Sequence, residues 1–141
     1  MSTPMSRLQR IFIVCALVFV SALQVVRAEN KAQRAQLLKT RECAGCDLSD
    51  ANLSPYDLNG VKAPGAVFTN AILYRSKLRG ADLTSANLAN ANLRSADLTG
   101  AILTGANLDS ADLSDTIGAN LTGAITTSGT KCPNRKAGPC Q

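Results

Sequence analysis

Residues 46–115 read CDLSD ANLSP YDLNG VKAPG AVFTN AILYR SKLRG ADLTS ANLAN ANLRS ADLTG AILTG ANLDS ADLSD, fourteen five-residue units in one phase. The common unit is Ala, then Asp or Asn, then Leu, then two small or polar residues. A period of five suits neither regular element. On a strand, side chains alternate, so a step of five sends successive leucines to opposite faces. On an α-helix the same step turns by about 140°, which smears the leucines around the axis. They share one core only if the backbone changes direction once per unit. Short extended sides joined by tight corners do this, and the chain winds into a coil of stacked repeats, none of which can bury its own apolar face alone. Ala and Leu favour helix. Against that, Gly or Asn stands near almost every corner, and Pro55 and Pro64 fall inside the run.

The third slot of each unit is expected to point inward, from Leu48 to Leu113, with Ala63 and Phe68 replacing leucine. The first slot is also expected inward and is usually Ala, because a narrow tube has no room for two large side chains per side. The Asp or Asn between them points out, where a short polar side chain can bond nearby backbone at a corner. The last two slots hold Ser, Thr, Gly and Asn, which suit a turn.

On these residues the chain resembles the pentapeptide repeat proteins, whose signature is A(D/N)LXX. The resemblance covers residues 46–128. It implies an all-β fold, a right-handed four-sided parallel β-helix with four units per coil, here preceded by a short N-terminal capping helix. Four interior stacks then follow: Leu48–Phe68–Leu88–Leu108, Leu53–Leu73–Leu93–Leu113, Leu58–Leu78–Leu98 and Ala63–Leu83–Leu103.

Residues 1–28 read as a signal peptide: Arg7 and Arg10 precede an apolar run from Ile11 to Leu23, and Val26-Arg27-Ala28 offers a cleavage site. The expectation is an exported chain, periplasmic or extracellular, with no membrane insertion of the mature part. The alternative is a chain tethered through an uncleaved signal, which Arg27 at the site keeps open. Cleavage would remove three of the fifteen basic residues and none of the ten acids, leaving twelve against ten. Residues 46–128 hold five basic residues and eight acids. Neither balance suggests nucleic-acid binding by bulk charge.

Residues 29–45 are expected to form the N-terminal cap. In NKAQRAQLLKT, residues 30–40, Asn30 suits an N-cap, and Ala32, Ala35, Leu37 and Leu38 could form an apolar stripe. An open solenoid end exposes strand edges and apolar interior, so it needs such a lid. The alternative is a basic peptide for an acidic membrane surface, through Lys31, Arg34, Lys39 and Arg41. The stretch LLKTRECAGCDLSDANL resembles a capping segment found before the repeats in exported or cyanobacterial-type members. Its Cys43-x-x-Cys46 could be a redox site, half a zinc site or a structural disulfide, and the inward slot of Cys46 favours structure. After Asp115 the phase slips. Thr116, Ile117 and Gly118 read as three extra residues that either bulge at a corner without breaking the stack or mark where the regular coil stops, before ANLTG and AITTS resume as two degenerate repeats. Residues 129–141 read as an irregular tail with Cys132 and Cys140. The two cysteine pairs start near opposite ends of a rod of roughly 20 Å. Local disulfides Cys43–Cys46 and Cys132–Cys140 are therefore expected, although an extended tail could reach across.

Lys62, Val67, Ile72 and Lys77 replace the outward Asp or Asn. Ile72, Tyr74 and Arg75 share one side with Arg94 one coil away, and Lys77 and Arg79 are on the next side round, which makes one basic, partly apolar patch. Tyr74, Arg75, Lys77, Arg79 and Arg94 are the candidate partner-binding residues, the alternative being an ordinary solvated face. The chain has no His, which removes the commonest general base. It also lacks a Gly-rich phosphate loop between strand and helix. No enzyme, no cofactor and no metal site is expected. The expected function is a non-catalytic exported module, structural or protein-binding, with an unknown protein partner and no nucleic acid. Two alternatives stand beside it. Some members of the family resemble duplex DNA and protect topoisomerases, a role that charge and export here oppose. The other is a thiol redox protein using Cys43 and Cys46.

Overall fold

Each outward slot pairs in parallel with the slot twenty residues further on, giving four columns of bridges: Glu42–Lys62–Asp82–Ile102, Asp47–Val67–Asn87–Asn107, Asn52–Ile72–Asn92–Asp112 and Asp57–Lys77–Asp97–Ile117. The chain therefore completes one coil every four units, and the columns define its first to fourth sides. The structure is a computed structural model that describes residues 30–134 and residue 140. The expected signal peptide, residues 1–28, lies outside them.

Two backbone bonds per side hold each coil to the next. Val67 N–H donates to Cys46 O at 2.8 Å, and Leu48 N–H donates to Val67 O at 2.7 Å. At each corner the first slot donates back to the third slot of the preceding unit, as Ala51 N–H does to Leu48 O at 3.1 Å. Between them the fifth slot takes positive φ, +57° at Asp50, +59° at Asn70 and +65° at Gly60. Gly reaches that region freely and Asn or Asp at little cost, hence the turn residues of the sequence. Arg75, at φ +56°, is the bulky exception.

The outward Asp or Asn closes the corner from outside by accepting the amide of the residue two further on: Asp47 from Ser49, Asn52 from Ser54, Asp82 from Thr84, Asn92 from Arg94 and Asp97 from Thr99, all at 3.0–3.1 Å. The second coil has no such acceptor, since its outward slots are Lys62, Val67, Ile72 and Lys77. Pro64 stands where one orphan amide would be, and Arg79 N–H donates instead to Asn59 Oδ1 of the coil above, at 2.9 Å.

All the third-slot residues from Leu48 to Leu113 are buried, in the four stacks expected. Val61 and Ala63 exchange sizes within one unit, so that side still holds one large and one small side chain, both buried. Ser76 is buried in a first slot and donates its hydroxyl to Leu53 O at 2.8 Å, which meets the requirement that a buried hydroxyl be bonded. Tyr56 breaks the first-slot rule. It is 41% exposed, because a slot that elsewhere holds nothing larger than Val cannot take it.

Helix α1, residues 30–40, lies over the first coil as the expected lid. Its packed face differs from the expected stripe. Ala32 and Ala35 are exposed, while Asn30, Gln33, Arg34, Leu37 and Leu38 turn inward. Only Leu37 is fully buried. The polar members replace the missing coil above: Gln33 Oε1 accepts from Asp47 N–H, Asn30 Nδ2 donates to Ser49 O, and Arg34 Nη1 donates to Asn52 O. Arg41, just after the helix, donates to Asp57 O at 2.7 Å and to Asn59 O at 3.3 Å. Asn30 thus tethers the lid rather than capping it. The coil also begins earlier than the repeat phase suggested, since Glu42 already pairs with Lys62.

At the other end, residues 116–118 do not bulge. Ile117 holds the regular twenty-residue pairing with Asp97. Gly118 then cuts the unit short, because a Cβ there would lie 2.8 Å from Thr99 Cα, and its φ is +63°. The first-side column ends at Ile102, but Gly105 N–H donates to Gly123 O, eighteen residues on; the second side pairs Asn107 with Ile125, also eighteen on, and the third pairs Asp112 with Lys131, nineteen on. Three residues stand for five, so the phase slips by removal of two. The coil continues through Thr130, Lys131 and Cys132, with Thr130 and Cys132 buried; those residues belong to the last coil rather than to an irregular tail.

Candidate partner-binding surface

The corner between the third and fourth sides carries Ser54-Pro55, Tyr74-Arg75, Arg94-Ser95 and Ser114-Asp115 in successive coils. The chain climbs straight from one pair to the next: Ser54 Oγ donates to Tyr74 O at 2.6 Å, Arg75 N–H to Arg94 O at 3.1 Å, and Ser95 N–H to Ser114 O at 2.9 Å. Lys77 follows on the fourth side, and Arg79 on the corner where that side meets the first. The expected residues Tyr74, Arg75, Lys77, Arg79 and Arg94 are thus neighbours, as the twenty-residue coil requires.

Their electrostatics differ from a simple basic patch. Arg79 Nη1 lies 3.2 Å from Asp97 Oδ2, and Arg94 Nε lies 3.5 Å from Asp115 Oδ2. Lys77 stands in a column between Asp57 and Asp97, and Lys62 stands between Glu42 and Asp82, 3.9 Å from the Glu42 carboxylate. Opposite charges stacked about 4.8 Å apart attract, so the outward lysines act first as ladder partners. Thr84 and Thr99, through hydroxyl and then amide, hold the Asp82 and Asp97 carboxyls below their ordinary value. The Asn59 amide does so first at Asp57, with Arg41 and Lys77 adding to it. Arg75 is exposed and its guanidinium lies 5.2 Å from the centroid of the Tyr74 ring, a cation–π distance. Ile72, on the third side, is 41% exposed.

Tyr56 belongs to the same corner and was hidden by the slot pattern. Lys77 N–H donates to Tyr56 O at 3.1 Å, which fixes the exposed ring one coil above Lys77. The signal for it was size: a tyrosine in a slot that wants Ala.

The cysteines form two local pairs, Cys43–Cys46 and Cys132–Cys140, with Cα atoms 5.3 Å and 5.5 Å apart. Cys43, Cys46 and Cys132 are buried in inward slots. Among the described residues no group of His, Cys, Asp or Glu is placed to hold a metal, and no helix is long and apolar enough to cross a membrane.

These features define a repeat solenoid whose corner between the third and fourth sides gathers large and charged side chains; among the described residues no metal-binding group accompanies it. The family of pentapeptide repeats matches residues 46–88 and 76–115, in eight copies. A pentapeptide repeat protein of the Arabidopsis thaliana thylakoid lumen is 31% identical with a TM-score of 0.54, over 64% of this chain and 61% of that one. The chain thus spans about three-fifths of that relative's length. A pentapeptide repeat protein from the cyanobacterium Cyanothece is 27% identical with a TM-score of 0.52, over 71% of this chain and 97% of that one. Another, from Nostoc, is 32% identical over 75% and 83%, with a TM-score of 0.44. No curated protein matches. The chain belongs to the pentapeptide repeat family.

Proposed function

We propose that the protein is a non-catalytic, exported module that holds a protein partner, built on a right-handed coil as in its family. The observation that carries the reading is the second coil. Every outward slot there departs from Asp or Asn, through Lys62, Val67, Ile72 and Lys77, and the adjoining corner presents Tyr74 and Arg75. A regular ladder is alike on every coil and cannot mark one place; a departure from it can. Tyr74 is half-buried and Arg75 exposed; an aromatic with a polar tip and a guanidinium fork are common anchors of binding hot spots.

Export is supported by the signal-like residues 1–28 and by two disulfides, which persist in oxidising compartments. The Arabidopsis relative is a thylakoid-lumen protein. A thiol redox role fits less well, since Cys43 and Cys46 are both buried beneath α1 and a reactive cysteine needs access. The test is capture from an envelope extract with the full chain and with Tyr74→Ala/Arg75→Ala. The double variant should lose the partner while its Tm stays within about 2 °C of the parent. Full retention by that variant moves the site elsewhere.

A further inference from the structure

The coils are electrically lopsided. Between residues 41 and 134 the chain holds seven cations and nine acids. Five of the seven lie along the fourth side and its two corners: Arg75 and Arg94 on the corner with the third side, Lys77 on the side itself, Arg79 on the corner with the first side, and Arg41, whose guanidinium reaches over from the first side to Asp57 and Asn59; they face three acids, Asp57, Asp97 and Asp115. The rest of the coil surface has two cations, Lys62 and Lys131, against six acids.

The ion pairs show which of the five cations remain in surplus. Asp57 is shared by Lys77 below and by Arg41, whose Nη1 lies 3.5 Å from Asp57 Oδ1. Asp97, on the other side of Lys77, is taken by Arg79, and Asp115 by Arg94. Arg75 leans on the Tyr74 ring. The surplus positive charge therefore collects at Arg75 and Lys77. These flank Ser76, which is turned into the core, so the two side chains emerge either side of one corner. Tyr56 stands one coil above them, Tyr74 beside them, and the exposed Ile72 next along the third side. The two tyrosines are the only ones in the chain. An aromatic–cation–aromatic–cation cluster with an apolar neighbour, on coils whose remaining surface is acidic, is complementary to a negatively charged chain that also carries an apolar anchor; the other cations, Lys31, Arg34 and Lys39, lie on the lid helix.

Resting on the interaction-module reading, we propose that Tyr56, Ile72, Tyr74, Arg75 and Lys77 dock an acidic, extended segment of a partner protein, its carboxylates on Arg75 and Lys77 and an apolar side chain against the tyrosines. Arg79 and Arg94, tied to their own acids, position the corner and steer the approach.

The test uses the oxidised full chain and a fluorescent Glu-rich peptide containing one Leu, read by anisotropy, with the same peptide carrying Gln for Glu as control. Arg75→Glu/Lys77→Glu should weaken binding by about tenfold or more, and Tyr56→Ser should weaken it with unchanged Tm. Lys62→Glu/Lys131→Glu, the same change of net charge elsewhere, should alter it less than about twofold. Equal loss in both double variants would reduce the effect to bulk charge and overturn the proposal, as would tighter binding of a duplex DNA probe at the same residues. Self-association in sedimentation that vanishes in Arg75→Glu/Lys77→Glu would assign the corner to a second copy's acidic face and also overturn it. If envelope capture depends on Tyr74 and Arg75 while no acidic peptide binds, the module stands and the acidic partner class falls.

Discussion

Replacing Leu93 by Ala tests the inward slots most directly. Leu93 is fully buried, stacked between Leu73 and Leu113 and flanked by Ala91 and Ala96. Truncation removes the transfer free energy of the lost carbons and leaves a void. How much of the void closes depends on whether the neighbouring coils can approach. They are held apart by ladder bonds on both sides of the site, Asn92 N–H to Ala71 O at 2.9 Å and Leu93 N–H to Asp112 O at 2.8 Å. Such a rigid frame places the cost in the upper part of the usual Leu→Ala range, about 3–5 kcal/mol. For a domain of this size that lowers Tm by roughly 12–30 °C. The control lies one residue away. Arg94 is exposed, and its pair with Asp115 is a surface contact, so Arg94→Ala should cost about 1 kcal/mol or less. Thermal melts followed by circular dichroism measure both. Equal losses at the two positions would refute the assignment of alternate residues to core and solvent.

Gly118→Ala should destabilise far more than Gly60→Ala. Both sites have positive φ, costing about 1–2 kcal/mol for any L side chain, but only at 118 would the new Cβ meet backbone, Thr99 Cα at 2.8 Å; at Gly60 nothing lies within 4 Å. The ladder carboxylates predict acid sensitivity. Asp82 and Asp97 titrate below their ordinary 3.8 in the fold, so the unfolded chain protonates first. Their contribution is present above about pH 3.8 and disappears as pH falls through the lower folded values. Asp82→Asn keeps the corner acceptor, as Asn87 and Asn92 do. It should leave the neutral Tm nearly unchanged and shrink the fall in Tm between about pH 6 and pH 2; an undiminished fall would contradict the account. Peptide mapping without reductant should link Cys132 to Cys140, and Cys132→Ser/Cys140→Ser should cost about 2–3 kcal/mol for a loop this short. A peptide joining either residue to Cys43 or Cys46 would overturn the pairing.

The period of five and the identities in its slots were enough to settle the inward leucines, the small first slot, the outward Asp and Asn, and the corners. Each is a local consequence of side-chain size or turn chemistry, repeated until no other arrangement buries every leucine. The signal is strong because each coil repeats the same physical problem. Where the sequence stops repeating, local reasoning fails. Three residues at 116–118 look like an insertion by counting, yet only the bridges show that they shorten a side, because gaining three and losing two are identical in a period of five. The lid helix was legible as a helix, but its inner face was not: the first coil lacks a coil above it, so Asn30, Gln33 and Arg34 are drawn in to bond its bare edge, against the apolar pattern. Tyr56 is on the surface because the tube is too narrow, a limit set by neighbouring coils. The candidate cations were named from the sequence, but which of them are paired is a matter of residues twenty positions apart meeting across one coil spacing, and that distance exists only once the chain has wound.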